Sequence, residues 1–157
     1  VPAMAAVGAI ARIAGPNGTR DIPVEDVPTA PGKTSLEKGE FVVSIFFPKK
    51  ADNTGDEYLR FIPRTEMDIA VVGAGAAVTL NADGTCTAAR LALGAVAPTA
   101  RLVPDAAAAM IGNKIDDSVL ASVAVSALPL APSAAPLPAS TPSGSARGAR
   151  ATTSDSL

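Results

Sequence analysis

The sequence predicts an α+β fold: a hairpin and one strongly apolar strand, followed by three antiparallel strands packed on one face by two helices. Three observations carry this prediction. Short apolar runs broken by Gly/Pro turns fill residues 1 to about 50, two long strand-like runs flank an Asp-Gly step at Asp83-Gly84, and the pattern turns helical only after Pro98.

Taken in order, Ala9–Ala14 and Thr19–Val24 flank Gly15-Pro16-Asn17-Gly18, a hairpin turn because Asn and Gly tolerate positive φ. Glu25-Asp26 and the Pro/Gly-rich stretch to Lys33 read as a loop, and Phe41–Phe47 is a β-rich run ended by Pro48. Lys49 to Gly55 is charged and polar, as an exposed linker between two lobes would be. Tyr58–Ile62 is a strand stopped at Pro63, and Asp68–Leu80 and Thr85–Val96 are long strands joined through Asn81-Ala82-Asp83-Gly84. Pro104-Asp105 opens an alanine-rich helix that stops at Gly112-Asn113. A second helix starts at Asp116-Asp117, whose carboxylates suit a helix N-terminus, and carries Val119, Leu120 and Val123 inward. From about Leu128 the chain is Ala, Pro, Ser, Thr and Gly without period, with five prolines from Pro129 to Pro142, and is expected to be disordered. The expected division is 1–50, 51–127 and a tail of 128–157.

Composition narrows the chemistry. With no His among 157 residues, Ser-His-Asp triads and His-ligated metals are excluded, and one Cys cannot make an internal disulfide, a CxxC pair or an iron–sulfur site. A net charge of −2 argues against a nucleic-acid face, and 3% aromatic content argues against base stacking. Hydrophobic residues make up 48%, but many are alanine, so the core should be thin. Ile69–Leu80, the longest apolar run, is too short to span a bilayer, and Val1–Met4 lack the charged and apolar regions of a secretory signal. The cytoplasm is the expected compartment. Val1 is not expected to be a natural start.

Two motifs imitate nucleotide sites. Gly32-Lys33-Thr34 has the end of a phosphate loop, but Val27 stands where the first glycine belongs and Lys38-Gly39 interrupts any following helix. Gly73-Ala74-Gly75 follows apolar residues, yet Val78 occupies the third glycine position and a hairpin turn follows where a dinucleotide site needs a helix. A strand with a bulge or a close backbone approach is the reading preferred for it. Asp116-Asp117 is read as a helix start and not a metal site, and Cys86 as an inert small residue. No catalytic residue and no metal ligand is assigned.

The run Glu57-Tyr58-Leu59-Arg60-Phe61-Ile62-Pro63-Arg64, continuing through Met67-Asp68-Ile69-Ala70-Val71-Val72-Gly73, resembles the start of the C-terminal domain in FAD-binding medium subunits of molybdenum hydroxylases. This family includes aerobic carbon monoxide dehydrogenases and xanthine dehydrogenases. The resemblance extends through Ala88–Thr99 to Ile111-Gly112 and Asp116-Asp117, and upstream to Pro2–Ala9 as a helix and turn and to Pro31–Ile45 as a loop and strand. It implies that residues 1–50 are a remnant of the second lobe of an FAD domain, and residues 51–127 the C-terminal domain of a flavoprotein subunit. The implied role is an oxidoreductase component that takes electrons from an iron–sulfur subunit, supplied by a molybdenum-cofactor subunit, and passes them through FAD to an acceptor.

The resemblance places Val42, with Val43 beside it, near the isoalloxazine as apolar shielding, and Arg60 as the cation approaching the flavin. It also implies losses. The Ala-Gly-Gly and Thr-Ile-Gly-Gly loops that hold the pyrophosphate are not in this sequence, so FAD binding should be weak or lost and the isolated fragment inactive. The alternative is a structural or docking module without flavin. The family's Cys-Arg-Pro and final Arg-Gly helix are replaced after Ala127 by the Ala/Pro/Ser tail, which reads like a high-GC gene in a shifted frame. Sequencing the coding DNA should therefore show, in another frame beyond Ala127, a Cys-Arg-Pro and an Arg-Gly helix; their absence from both other frames removes the truncated or frame-shifted reading.

Overall fold

A computed structural model describes residues 1–62, 64 and 70–127. The expected tail of 128–157 and the first residues of the strand expected from Asp68 lie outside the described residues. The elements run α1 (Pro2–Ala6), β1 (Ile10–Gly15), β2 (Gly18–Pro23), a 3₁₀ turn (Val24–Asp26), β3 (Pro28–Ala30), β4 (Lys33–Thr34), β5 (Phe41–Phe46), β6 (Thr54–Phe61), β7 (Val72–Leu80), β8 (Cys86–Gly94), β9 (Arg101–Leu102), α2 (Pro104–Met110) and α3 (Asp117–Ala127).

Three antiparallel sheets result, ordered β2-β1-β5, β3-β4 and β6-β7-β8-β9. The first hairpin forms as expected, with Gly15 paired to Gly18 and only Gly18 of the turn at positive φ (+113°). Beyond it, β5 pairs with the other side of β1 and forms the outer edge of the sheet. The stretch expected as a loop holds the 3₁₀ turn and the small β3–β4 hairpin. In the β7–β8 turn, Asn81 Oδ1 accepts from the N–H groups of Asp83 (3.1 Å) and Thr85 (2.8 Å), and Gly84 takes φ +79°.

The second sheet contains the three expected strands and a two-residue fourth, β9, that lies against Ala92 and Leu93 of β8. Strand β6 starts at Thr54, inside the stretch expected as linker. Its first residue faces Thr79, and their hydroxyls meet at 2.8 Å. A cross-strand partner supplies what the polar sequence lacks.

Side chains alternate across these strands, so the register sorts them into two faces. One face carries Val78, Leu80, Ala89, Leu91 and Leu93 into a core with Cys86, Val103, Ala106, Met110 and Val123. Helix α2 lies on β8, and α3 packs chiefly on α2, reaching the core through Val123. Leu120, expected to point inward, is instead 47% exposed. Because α3 has essentially one neighbour, its buried stripe is narrow: Val119 and Val123 share it, and Leu120 sits about 100° around the helix. Asp116 caps α3, its Oδ1 accepting from Ser118 N (3.0 Å), Ser118 Oγ (2.7 Å) and Val119 N (2.9 Å). These donors hold its carboxyl below the usual range, the Ser118 hydroxyl contributing most.

The opposite face is covered by α1, which the strand pattern does not announce. Ala5, Ala6, Ala9 and Val24 from the beginning of the chain form one core with Ala92 of β8, joined by Met4, Val7 and Leu102. The floor beneath α1 must be flat. A Cβ on Gly75 would lie 3.0 Å from the Pro2 carbonyl oxygen and 3.2 Å from Ala6 Cβ, and one on Gly94 would collide with Pro2 Cγ. The Gly73-Ala74-Gly75 run is therefore the strand with a close backbone approach. The core is thin as expected: the largest fully buried side chains are Ile13 and Cys86.

Two outcomes follow from these contacts. Gly75→Val should force α1 off the sheet and lower stability by about 1–3 kcal/mol, read from urea unfolding, because overpacking against backbone has no flexible neighbour to give way. The Arg20 guanidinium holds both Glu40 oxygens (2.9 and 2.8 Å) and the Glu37 N–H donates to one of them (2.7 Å), which lowers the Glu40 carboxyl from 4.5 to about 2. A depressed folded-state pKa gives stability that is present above the unfolded value and lost as pH falls through the folded one. The Tm should thus drop more steeply between pH 4.5 and 2 in the natural sequence than in Glu40→Gln, and parallel curves would remove Glu40 from the acid transition.

Candidate functional site

Strand β5 is apolar at five of its six positions, yet every one of the six is exposed. Its register with β1 explains how Val42 and Val43 differ. Ile45 opposes Ala11 and Val42 opposes Ile13, on the side where Ala11 and Ile13 are buried, while Val43 has no partner because the ladder slips by a residue there. Val42 is 37% exposed and Val43 54%. The bulge thus separates two neighbours that the sequence presents as equivalent.

Arg60 lies on β6 opposite Gly73, so it shares the face of the sheet that receives α1. It is exposed and makes no hydrogen bond or ion pair among the described residues. Tyr58, two residues earlier on the same face, lies over Gly73, where a Cβ would collide with its hydroxyl. The glycine thus makes room for the Tyr58 ring. Val42 and Arg60 belong to different sheets, and none of the cavities described next is lined by either.

A cavity of about 180 Å³ opens between α1, the connection after β5 and the second sheet, lined in part by Val7, Pro48, Lys49, Thr54, Ala77 and Arg90. Lys50 pairs with Asp56 at its edge. A groove of about 220 Å³ continues from it past Met4 and Phe47. Neither of these two spaces reaches the roughly 300–1,000 Å³ of a site that encloses a drug-sized ligand; two others do, of about 440 Å³ beside Arg12 and Asp21 and about 490 Å³ beside Glu25 and Arg101. Val42 thus stands on an exposed apolar strand, and Arg60 is an exposed cation on the edge strand of the four-stranded sheet.

The two nucleotide-like motifs have structural explanations. Lys33-Thr34 form β4 of a small hairpin and no helix starts there, so the loop geometry that cradles phosphate is not formed. Gly73 and Gly75 lie within β7. Cys86 is 1% exposed in the second core, where burial pushes its thiol pKa up, and its Sγ approaches the Ala88 carbonyl oxygen at 3.5 Å. Among the described residues no cluster of His, Cys, Asp and Glu could hold a metal, and no helix is long and apolar enough to cross a membrane.

Against known proteins, residues 57–147 match the CO dehydrogenase flavoprotein C-terminal domain. That match runs from Glu57 within β6 to α3 and continues beyond the described residues. A putative xanthine dehydrogenase FAD-binding subunit of Escherichia coli K12 is 36% identical over 85 residues, 54% of this chain and 29% of that protein. The structure of a carbon monoxide dehydrogenase from Hydrogenophaga pseudoflava, lacking the Mo-pyranopterin moiety, is 31% identical with a TM-score of 0.75, over 82% of this chain and 44% of that one. A reconstituted CO dehydrogenase from Oligotropha carboxidovorans is 26% identical with a TM-score of 0.76, over 83% of this chain and 46% of that one. This chain spans less than half the length of each of these relatives. The family match covers more than half the sequence. The chain therefore belongs to the CO dehydrogenase flavoprotein C-terminal domain family, and corresponds to the C-terminal part of an FAD-binding medium subunit of the molybdenum hydroxylases.

Proposed function

We propose that this chain supplies one wall of a flavin site in an electron-transferring subunit, with the cytoplasm as its compartment and iron–sulfur and molybdenum-cofactor subunits as its partners. Residues 1–50 are taken as the remnant of the FAD domain, and 51–127 as the C-terminal domain. The observation that carries the reading is Arg60: an exposed guanidinium with no partner among the described residues, on the sheet face that receives α1, in a chain of this family.

FAD, when bound, supplies the redox chemistry. Val42 and Val43 would shield a bound flavin from water, and Arg60 would supply positive charge that favours its anionic reduced form. Among the described residues no carboxylate pairs with this cation. Nothing here grips a diphosphate, so affinity should be low and the isolated chain inactive.

Thermal unfolding in the presence of ligands tests this. FMN and FAD should stabilise alike, by about 1.4 kcal/mol when present at ten times their Kd, whereas ADP should give no stabilisation. Arg60→Gln should weaken the flavin effect, and flavin colour should stay with the protein only at high ligand concentration. No shift with either flavin, or equal shifts with ADP, would leave a docking module without flavin as the better reading.

A further inference from the structure

We propose that Arg90 is the positioning residue that fixes how the four-stranded sheet sits against the beginning of the chain. It stands on β8 and leaves its own sheet. Its Nε and Nη2 both donate to the Ala5 carbonyl oxygen of α1, at 3.2 and 3.0 Å, and Nη2 reaches Glu25 Oε1 on the 3₁₀ turn at 3.3 Å. One guanidinium thus joins β8 to two elements that lie 85 and 65 residues away in sequence.

The surroundings are shaped for this contact. The last carbonyls of a helix lack intrahelical partners, so Ala5 O is free to accept; it also takes the Gly8 N–H at 3.1 Å. Gly8 turns the chain at φ +71°, and a Cβ there would lie 3.8 Å from both Cζ and Nε of Arg90, so the turn rests against the guanidinium. The 3₁₀ turn is tied to the same unit, because Val24 N donates to Ala9 O at 3.0 Å. Glu25 is 86% covered, since its side chain keeps 14% exposure, and its second oxygen has no partner among the described residues. A mostly covered carboxylate needs a cation, and Arg90 is the one it has among the described residues.

The apolar contacts beside it do not set an angle. Pro2 and Ala6 of α1 lie over Gly75, and Pro2 also over Gly94, with Ala92 in the same floor, so the centre of the contact is made of small groups that interlock little. Directional hydrogen bonds supply the missing constraint, and Arg offers them in a fixed fork that Lys cannot reproduce. That this orientation also spaces β5 from Arg60 at a flavin rests on the reading proposed above; the orientation itself does not.

The experiment is a spin-label distance measurement on the full chain, with Cys86→Ala removing the native thiol. Labels at Asn17→Cys in the β1–β2 turn and Asp83→Cys in the β7–β8 turn report the relation of the two sheets. With Arg90 present a single narrow distribution is expected, Arg90→Ala should broaden or shift it, and Arg90→Lys should restore it in part. Thiol reactivity of Cys86, measured without added labels, controls for folding and should stay low. An unchanged distribution in Arg90→Ala overturns the proposal. Should that variant expose Cys86, Arg90→Met, which keeps the apolar stem and removes the donors, is measured instead, and an unchanged distribution there overturns it equally.

Discussion

The constraint on which the rest depends is the flatness of the β7–β8 surface beneath α1. A helix backbone can approach a sheet this closely only where side chains vanish, and Gly75, Gly94 and Ala92 remove them at the crossing. The five-residue helix could not persist alone in water. It exists because Ala5 and Ala6 are wholly covered by the sheet, and the sheet in turn has a covered second face because the helix is there. Sheet β2-β1-β5 contributes little apolar burial of its own apart from Ala11 and Ile13, so its attachment passes through this contact.

The other face follows ordinary sheet physics. Leucines and valines at alternate positions meet Met110, Val103 and Val123, and α2 and α3 form a second layer of which only α2 lies directly on the strands. The two faces thus use opposite devices, bulky side chains on one and their absence on the other. An alanine-rich composition serves both, since each methyl group contributes little burial but permits short distances.

Much of this was legible in the sequence because it is local. The Asp83-Gly84 turn, the Pro104 and Asp116 helix starts and the glycine-softened β7 each depend on residues within one turn or strand of themselves. What escaped depends on distant partners. The β6 start at Thr54 needs Thr79, β9 needs the edge of β8, and α1 over the sheet has too few residues to show a period. Arg90 stands in an Ala-Leu run with no local sign of its reach to Ala5 and Glu25. At the candidate site, the family resemblance singled out Val42, Val43 and Arg60, and their residue types fit an apolar wall and a cation. The slip that parts the two valines and the absence of a partner for Arg60 among the described residues are tertiary facts, invisible along the chain.

The short connection from Phe47 to Asn53 has a consequence for assembly. It tethers β5 to β6, so the meeting of α1 with its glycine floor is an intramolecular event, taking place at the high effective concentration that a short tether confers. A contact of a few alanines and one guanidinium, far too small to hold two separate molecules together, is sufficient under those terms. Cutting the chain between Ala51 and Asn53 would turn the same contact into a bimolecular one and dissolve it by dilution.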